Sequence, residues 1–512
     1  MRTITKNLIK HRIRSKSSFC IILSIIFLGF SNSFVFAEIK NITAPDNKSN
    51  AVSSTSKNTQ SNNSSEGDST SSIASSVGKD TVGGNPAFTS FDPGTGALGR
   101  FLQIPDDWGV RLGGVSLADT NKLFTGGNKP GSLASNQVFI LGTSVDTEKA
   151  IGWKGGHVGV SFLQLNAQNT NGYAGSVPGY NSITGAPPFN RTELYEYWVT
   201  QELIKDTLKV RVGKIIPSVD FNNVTRTAKM KDNTQNVSSL SGLLYTSIFV
   251  NPSLLGVIGG YVDSVFGVTT NLAPTKNTWI TVGSYDGNKA RGFPTGLHNP
   301  HLSDGYVFNI AEAGMSWTVG EQNHPGQFGA GVWYQTGKFD RPGIYGNLQN
   351  TGEGGLYLYG GQRVWAGDGI KAYSNDEPDE NINNGFETRK VASVSIFYQY
   401  GLNNSKTMPI RQFSGVGFTA FSMIADRPDD SFGAGMGLSF LNQNLFQRAS
   451  ELMFQTYYQA CIIPDTMYLQ PTLSYIPTPG QIPSNLNYTP APGMAPNLPP
   501  ALAGTLRLTT VF

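Results

Sequence analysis

The chain has 512 residues, of which 14% are charged, 38% apolar and 11% aromatic, with 59 glycines, 2 cysteines and a formal charge of +3. Charge is little over half the roughly 25% of an average soluble domain and glycine exceeds the usual roughly 7%, a balance that is odd for a cytoplasmic enzyme. Two cysteines exclude a disulfide scaffold, and the aromatic and β-branched content excludes disorder over the whole length.

At the N-terminus Arg2, Lys6, Lys10, Arg12, Arg14 and Lys16 precede an apolar run from Phe19 to Phe30, followed by Val35-Phe36-Ala37. This order predicts a secretory signal peptide over residues 1–37, cut after Ala37. The apolar run is too short for the roughly 20 residues that cross a bilayer as a helix. Its removal takes Lys+Arg from 38 to 32 against 35 acids, so the mature charge is −3. The basicity belongs to the signal, and no clustered basic face remains to bind nucleic acid. Cys20 leaves with it, and Cys461 is then the one cysteine of the mature chain.

Residues 38–88 are dominated by Ser, Asn, Thr and Lys, as in Ser61-Asn62-Asn63-Ser64-Ser65, and are expected to be a disordered spacer. Residues 89–512 are the folded domain. Nothing in them offers 18 uninterrupted apolar residues; the nearest stretch, Leu243 to Val268, is broken by Asn251-Pro252 and Asp263. What recurs is alternation with period two. Leu208, Val210 and Val212 point one way while Lys209 and Arg211 point the other, and the same parity recurs in Phe328, Ala330, Val332 and Tyr334. It returns in Val394, Ile396, Tyr398 and Tyr400, and in Leu469, Leu473 and Tyr475.

A soluble sandwich gives the same alternation. Three features point instead to a membrane. The carboxyl end, Leu506-Arg507-Leu508-Thr509-Thr510-Val511-Phe512, is a strand that runs to a terminal aromatic, as in bacterial outer-membrane barrels whose last strand pairs with the first. Tyr195, Tyr197, Tyr334, Tyr398 and Tyr400 stand where interfacial girdles form. The roughly 425 residues from Asn85 onward, at about 10 per strand plus turns and loops, give about 16 strands, enough to enclose a water-filled channel. The expected fold is all-β: a transmembrane antiparallel β-barrel in a bacterial outer membrane, with long extracellular loops and short periplasmic turns.

Specific words then resemble the carbohydrate-selective outer-membrane porins of the OprB type. They are Gly152-Trp153 with Gly155-Gly156, Leu194-Tyr195-Glu196-Tyr197-Trp198, Leu208 to Lys214, Ala311-Glu312-Ala313-Gly314 and Gly331 to Phe339. Further on come Arg427-Pro428-Asp429-Asp430, Glu451 to Tyr458, Leu469-Gln470-Pro471, Pro479-Gly480 and Leu506-Arg507-Leu508. Their joint order spans about Trp108 to Phe512. After Asp107-Trp108-Gly109 the chain has the short, Gly-rich Val110 to Ser116 in place of the family's longer amphipathic stretch. The resemblance implies a 16-stranded barrel in which sugars diffuse through a pore narrowed by charged and aromatic side chains.

Strand parity nominates the lining. With Leu208, Val210 and Val212 on lipid, Lys209 and Arg211 face the lumen, since each would cost about 2–4 kcal/mol on the lipid side near the midplane. On the preceding strand Glu196, Trp198 and Thr200 share a parity. A turn near Lys205-Asp206 sets Arg211 opposite Thr200 and diagonal to Trp198, an arginine beside an indole. Glu312, Trp333, Arg363, Trp365 and Arg507 are further lumen candidates, weighed against simple pairing of charges along the wall. Trp333 faces inward only if Phe328 and Val332 face lipid. Leu240 to Tyr261 is a candidate constriction loop.

Enzyme words are missing: there is no Gly-x-Ser-x-Gly, His-Glu-x-x-His or Gly-x-x-x-x-Gly-Lys-[Ser/Thr]. Gly433-Ala434-Gly435-Met436-Gly437 reads as a strand with a small-residue face. His298, His301, His324 and Asp304 lie in loop sequence and do not make a metal site, and Asp376-Glu377-Pro378-Asp379-Glu380 reads as a solvated outer loop. No catalytic residue, metal or cofactor is expected. The expected partners are glucose-like monosaccharides, outer-membrane lipid and lipopolysaccharide, and the barrel-assembly machinery through Phe512. A general diffusion porin is the alternative, and a plugged barrel with an adhesive or enzymatic role a further one.

Overall fold

The computed structural model describes residues 96–512 apart from 185–186, 206, 223–241, 246–249, 259–262, 276, 289–304, 321–323, 343–347, 368–391, 405, 464–465, 485 and 487–489. The signal peptide, the spacer, His298, His301, Asp304 and the acidic run from Asp376 lie outside the described residues.

Sixteen strands follow one another: β1 (Val110–Thr125), β2 (Leu133–Asp146), β3 (Gly156–Asn166), β4 (Asn190–Ile204), β5 (Leu208–Ile215), β6 (Val265–Thr275), β7 (Thr278–Asp286) and β8 (Val307–Val319). They continue as β9 (His324–Asp340), β10 (Gln349–Ala366), β11 (Ser393–Asn403), β12 (Ile410–Phe421), β13 (Ser431–Leu441), β14 (Ser450–Ile463), β15 (Met467–Ile476) and β16 (Ala501–Val511). Each pairs antiparallel with its neighbours, and β1 pairs with β16, so the sheet is a closed barrel. Closure leaves no strand edge, the condition for a sheet to cross hydrocarbon.

The alternation in the sequence becomes an inside and an outside. Val212, Ile280, Ile396, Val416, Leu506 and Leu508 project outward and are exposed, the pattern of a lipid-facing wall. Gln327, Gln399, Glu451, Gln455 and Gln470 project inward and are buried. Val332 and Tyr334 are exposed on the outer face and Trp333 is 4% exposed, so Trp333 points inward as its parity requires. Gly433, Gly435 and Gly437 lie in β13 with Met436 exposed between them, so the strand reading of that word holds. Tyr195 corrects the girdle assignment. The register shifts where Ser161 and Phe162 face Glu196 and Leu194, so Tyr195 is an extra residue in β4, and it is fully buried.

The seam between first and last strands is tied three ways. Arg507 stands opposite Asp119 and reaches both its carboxylate oxygens, each at 2.7 Å. Gly114 and Phe512 exchange backbone hydrogen bonds of 2.7 and 2.9 Å. The Phe512 ring then crosses to β2 and stacks on Phe139 at 5.8 Å. A Cβ on Gly114 would meet the Phe512 ring at 3.0 Å, so the terminal aromatic seats over a bare backbone. A short helix, α1 (Ala97–Phe101), and the turn Asp106–Trp108 precede β1, with Gly96 and Gly99 close to Arg111 and Leu112 at the end of the strand where β16 finishes.

The word Arg427-Pro428-Asp429-Asp430 forms the β12–β13 turn. Asp430 accepts from Arg427, from the Tyr458 hydroxyl and, at 2.8 Å, from the Cys461 N–H. Partial burial opposes its charge, but those hydrogen bonds outweigh it and hold its carboxyl below the usual aspartate range.

Two outcomes are expected. Arg507→Met leaves Asp119 buried without its cation and destabilises the refolded barrel by about 3–5 kcal/mol in urea unfolding, whereas adding Asp119→Leu recovers most of the loss. The wild type exceeds Asp430→Asn in thermal midpoint at neutral pH, where the lowered carboxyl is ionised. That margin shrinks as pH falls below about 3.9 toward the lowered folded-state value.

Candidate functional site

The β4–β5 wall is a ladder of ion pairs facing the lumen. Arg191 bridges Glu193 at 3.0 Å and Asp263 at 3.1 Å, Lys214 lies 3.9 Å from Glu193, and Lys209 is 3.5 Å from Glu202. Between them Arg211 pairs with Asp220. Strand register places Arg211 opposite Thr200, and its guanidinium stands 5.9 Å over the ring of Trp198. The indole lies so close to Gly159 of β3 that any side chain there would collide with it. Glu196, one turn of the pleat away, is buried beside Ser161. The side chains of Lys209 and Arg211 keep 18% and 13% of their surface open.

The described segments of the loop after β5 (216–264) touch both sides of the barrel. The loop starts in the helix α2 (Pro217–Asp220), and its described segments from Gly242 onward bond to strands on the far side of the ring. Leu244 and Tyr245 donate backbone N–H groups to Gln455 of β14 at 2.5 and 3.2 Å, and Gln470 of β15 donates to the Gly242 carbonyl at 2.8 Å. On β11, Tyr400 O accepts from Asn251 at 3.1 Å, and Asn403 donates to Ser253 O at 2.8 Å. The inward glycines of β13 make the seat: a Cβ on Gly435 would collide with Leu243, and one on Gly437 would reach the Tyr245 ring at 3.8 Å. Burial pushes the Tyr245 phenol above its ordinary pKa, so it stays neutral. The described parts of Leu240 to Tyr261 thus lie within the barrel, packed on its wall.

Other lumen candidates turn out to be fastenings. Glu312 is 2% exposed and accepts from Trp279, Tyr357, Tyr359 and the backbone N–H of Asn222. Trp333 is packed against Phe308, ring centroids 6.1 Å apart, and offers a solute no open face. Arg507 is 1% exposed and bound to Asp119 at the seam. Arg363 points inward, opposite Ser395. Trp365 is a correction: it is 45% exposed on the outer wall. The register shifts between Arg363 and Trp365, so the intervening Val364 is an extra residue that reverses the parity the sequence implied.

Sequence reasoning missed the acidic partners Asp220 and Asp263, which sit in loop sequence without periodicity. It also missed Glu451, which gathers Ser176 Oγ at 2.5 Å, Val177 N at 2.9 Å and Gly480 N at 2.8 Å and so ties two loops to β14. A charged residue inside an otherwise polar-neutral inward face was the one available signal.

The model of a family described as carbohydrate-selective porin, OprB family, matches residues 131–512. Porin B of Pseudomonas aeruginosa is 22% identical over 385 residues, covering 67% of this chain and 77% of that protein. The high-pH structure of Pseudomonas putida OprB superposes with a TM-score of 0.63 at 17% identity, over 82% of this chain and 98% of that one. The chain belongs to the OprB family of carbohydrate-selective porins, and its closed 16-stranded barrel is an outer-membrane channel.

Proposed function

We propose that this channel passes monosaccharides, glucose-like hexoses first, by passive diffusion into the periplasm, and that Arg211 and Trp198 are its sugar contact. The observation that carries the reading is the guanidinium 5.9 Å over the indole on the lumen wall facing the inward loop. An aromatic ring receives the C–H face of a pyranose, and a charged donor beside it bonds the ring hydroxyls. Lys209 extends the line of donors along β5, Glu196 stands two residues from Trp198 on the same face of β4, and Arg363 is inward on β10. The reading needs no covalent chemistry and no cofactor. It takes residues 1–37 as a cleaved signal and 38–88 as a spacer. Lipopolysaccharide and outer-membrane lipid would surround the apolar wall, and Phe512 would be presented to the barrel-assembly machinery.

Planar-bilayer conductance of the refolded protein tests this. Glucose titrated into the bath is expected to block the current saturably, and current untouched by any sugar would identify a general diffusion porin instead. Arg211→Ala or Trp198→Ala is expected to weaken the block about tenfold, a loss of one charged hydrogen bond or one stacking contact, with a smaller change in open-channel current. Gly435→Leu is expected to lift the loop from its seat, giving a larger open-channel current and a weaker block.

A further inference from the structure

The Glu312 carboxylate has each oxygen doubly occupied: Oε1 accepts from Trp279 Nε1 at 3.2 Å and Tyr359 OH at 2.7 Å, and Oε2 from Tyr357 OH at 2.8 Å and Asn222 N at 2.8 Å. A carboxylate offers about four lone-pair sites, so Glu312 has none to give a sugar hydroxyl. Three of its donors belong to strands β7 and β10 of the wall; the fourth belongs to the loop. Asn222 stands at φ 57°, a left-handed conformation that asparagine tolerates better than most residues, and its N–H is aimed at the wall. Phe221, fully buried, meets Tyr285 edge-on at 6.4 Å. Asp220 accepts from Thr269 Oγ1 at 3.0 Å and holds the Arg211 guanidinium. Three consecutive residues are therefore fixed at three points, and Arg211 hangs from the first of them.

We infer that Glu312 is a positioning residue: by holding Asn222 it fixes Asp220, and through Asp220 it keeps Arg211 over Trp198. The inference rests on the reading of Arg211 and Trp198 as the sugar contact, and its test separates the two.

Wild type, Glu312→Gln, Arg211→Ala and the double variant are compared in planar bilayers with glucose in the bath. Glu312→Gln is expected to weaken the block about tenfold, the effect of one charged hydrogen bond, and to weaken it no further when Arg211 is already alanine. An equal loss in both backgrounds would overturn the inference, because Glu312 would then act on the sugar by another route. Reversal potential across a KCl gradient reads the placement of the Arg211 charge without sugar. The shift produced by Glu312→Gln should be larger with Arg211 present than with alanine, and equal shifts overturn the inference. If glucose does not block the wild type, the sugar reading falls and the inference stands or falls on this coupling. Should Glu312→Gln fail to refold, Tyr359→Phe, which removes one donor, is expected to give a smaller effect that again vanishes in the alanine background; an additive effect overturns it.

Discussion

No backbone N–H or carbonyl can be left unpaired in hydrocarbon, and this single requirement organises the molecule. It forces sixteen strands into a ring, and it makes the junction of the first and last strands the step on which the rest depends. The chain fastens that junction from both faces. Inside, Arg507 and Asp119 neutralise each other across it; outside, Phe512 reaches past β1 to Phe139 of β2. A charge pair sits on the lumen side and an aromatic stack on the lipid side, each in the medium that suits it.

Closure creates a second problem, since the inward faces are polar while the loops that fold onto them exclude water. A polar group buried without a partner is unfavourable, so wall and loop satisfy each other. Gln455 and Gln470 take backbone groups of the loop that Glu312 secures near its start, and Glu451 does the same for two loops at the opposite end of the strands from Phe512. Charged residues of the lumen thus divide by their degree of closure. Those saturated by fixed donors hold the architecture, and the β4–β5 ladder, where Lys209 and Arg211 retain some open surface, carries the proposed sugar contact.

Much of this was legible beforehand. The parity of Leu208 to Lys214 placed Arg211 opposite Thr200 and beside Trp198, because a two-residue period and a short turn determine register without tertiary information. The terminal strand announced closure for the same reason. Trp365 and Tyr195 were misplaced because one inserted residue reverses parity, and nothing in the local composition marks a bulge. Glu312 and Arg507 were correctly set on the inner face, but parity says nothing about partners 90 or 388 positions away along the chain. Asp220 and Asp263 were invisible for a related reason, since they lie in loops whose course only the wall defines.

The bare face of β13 separates two properties that a barrel would otherwise link. Strand number sets the circumference; under the proposed function the width of the passage would depend instead on how closely Leu243 and Tyr245 settle onto Gly435 and Gly437. On that reading, calibre would be a matter of side-chain volume at a few inward positions. Adding side-chain volume at these two positions would displace the loop while the ring and its seam stay as they are.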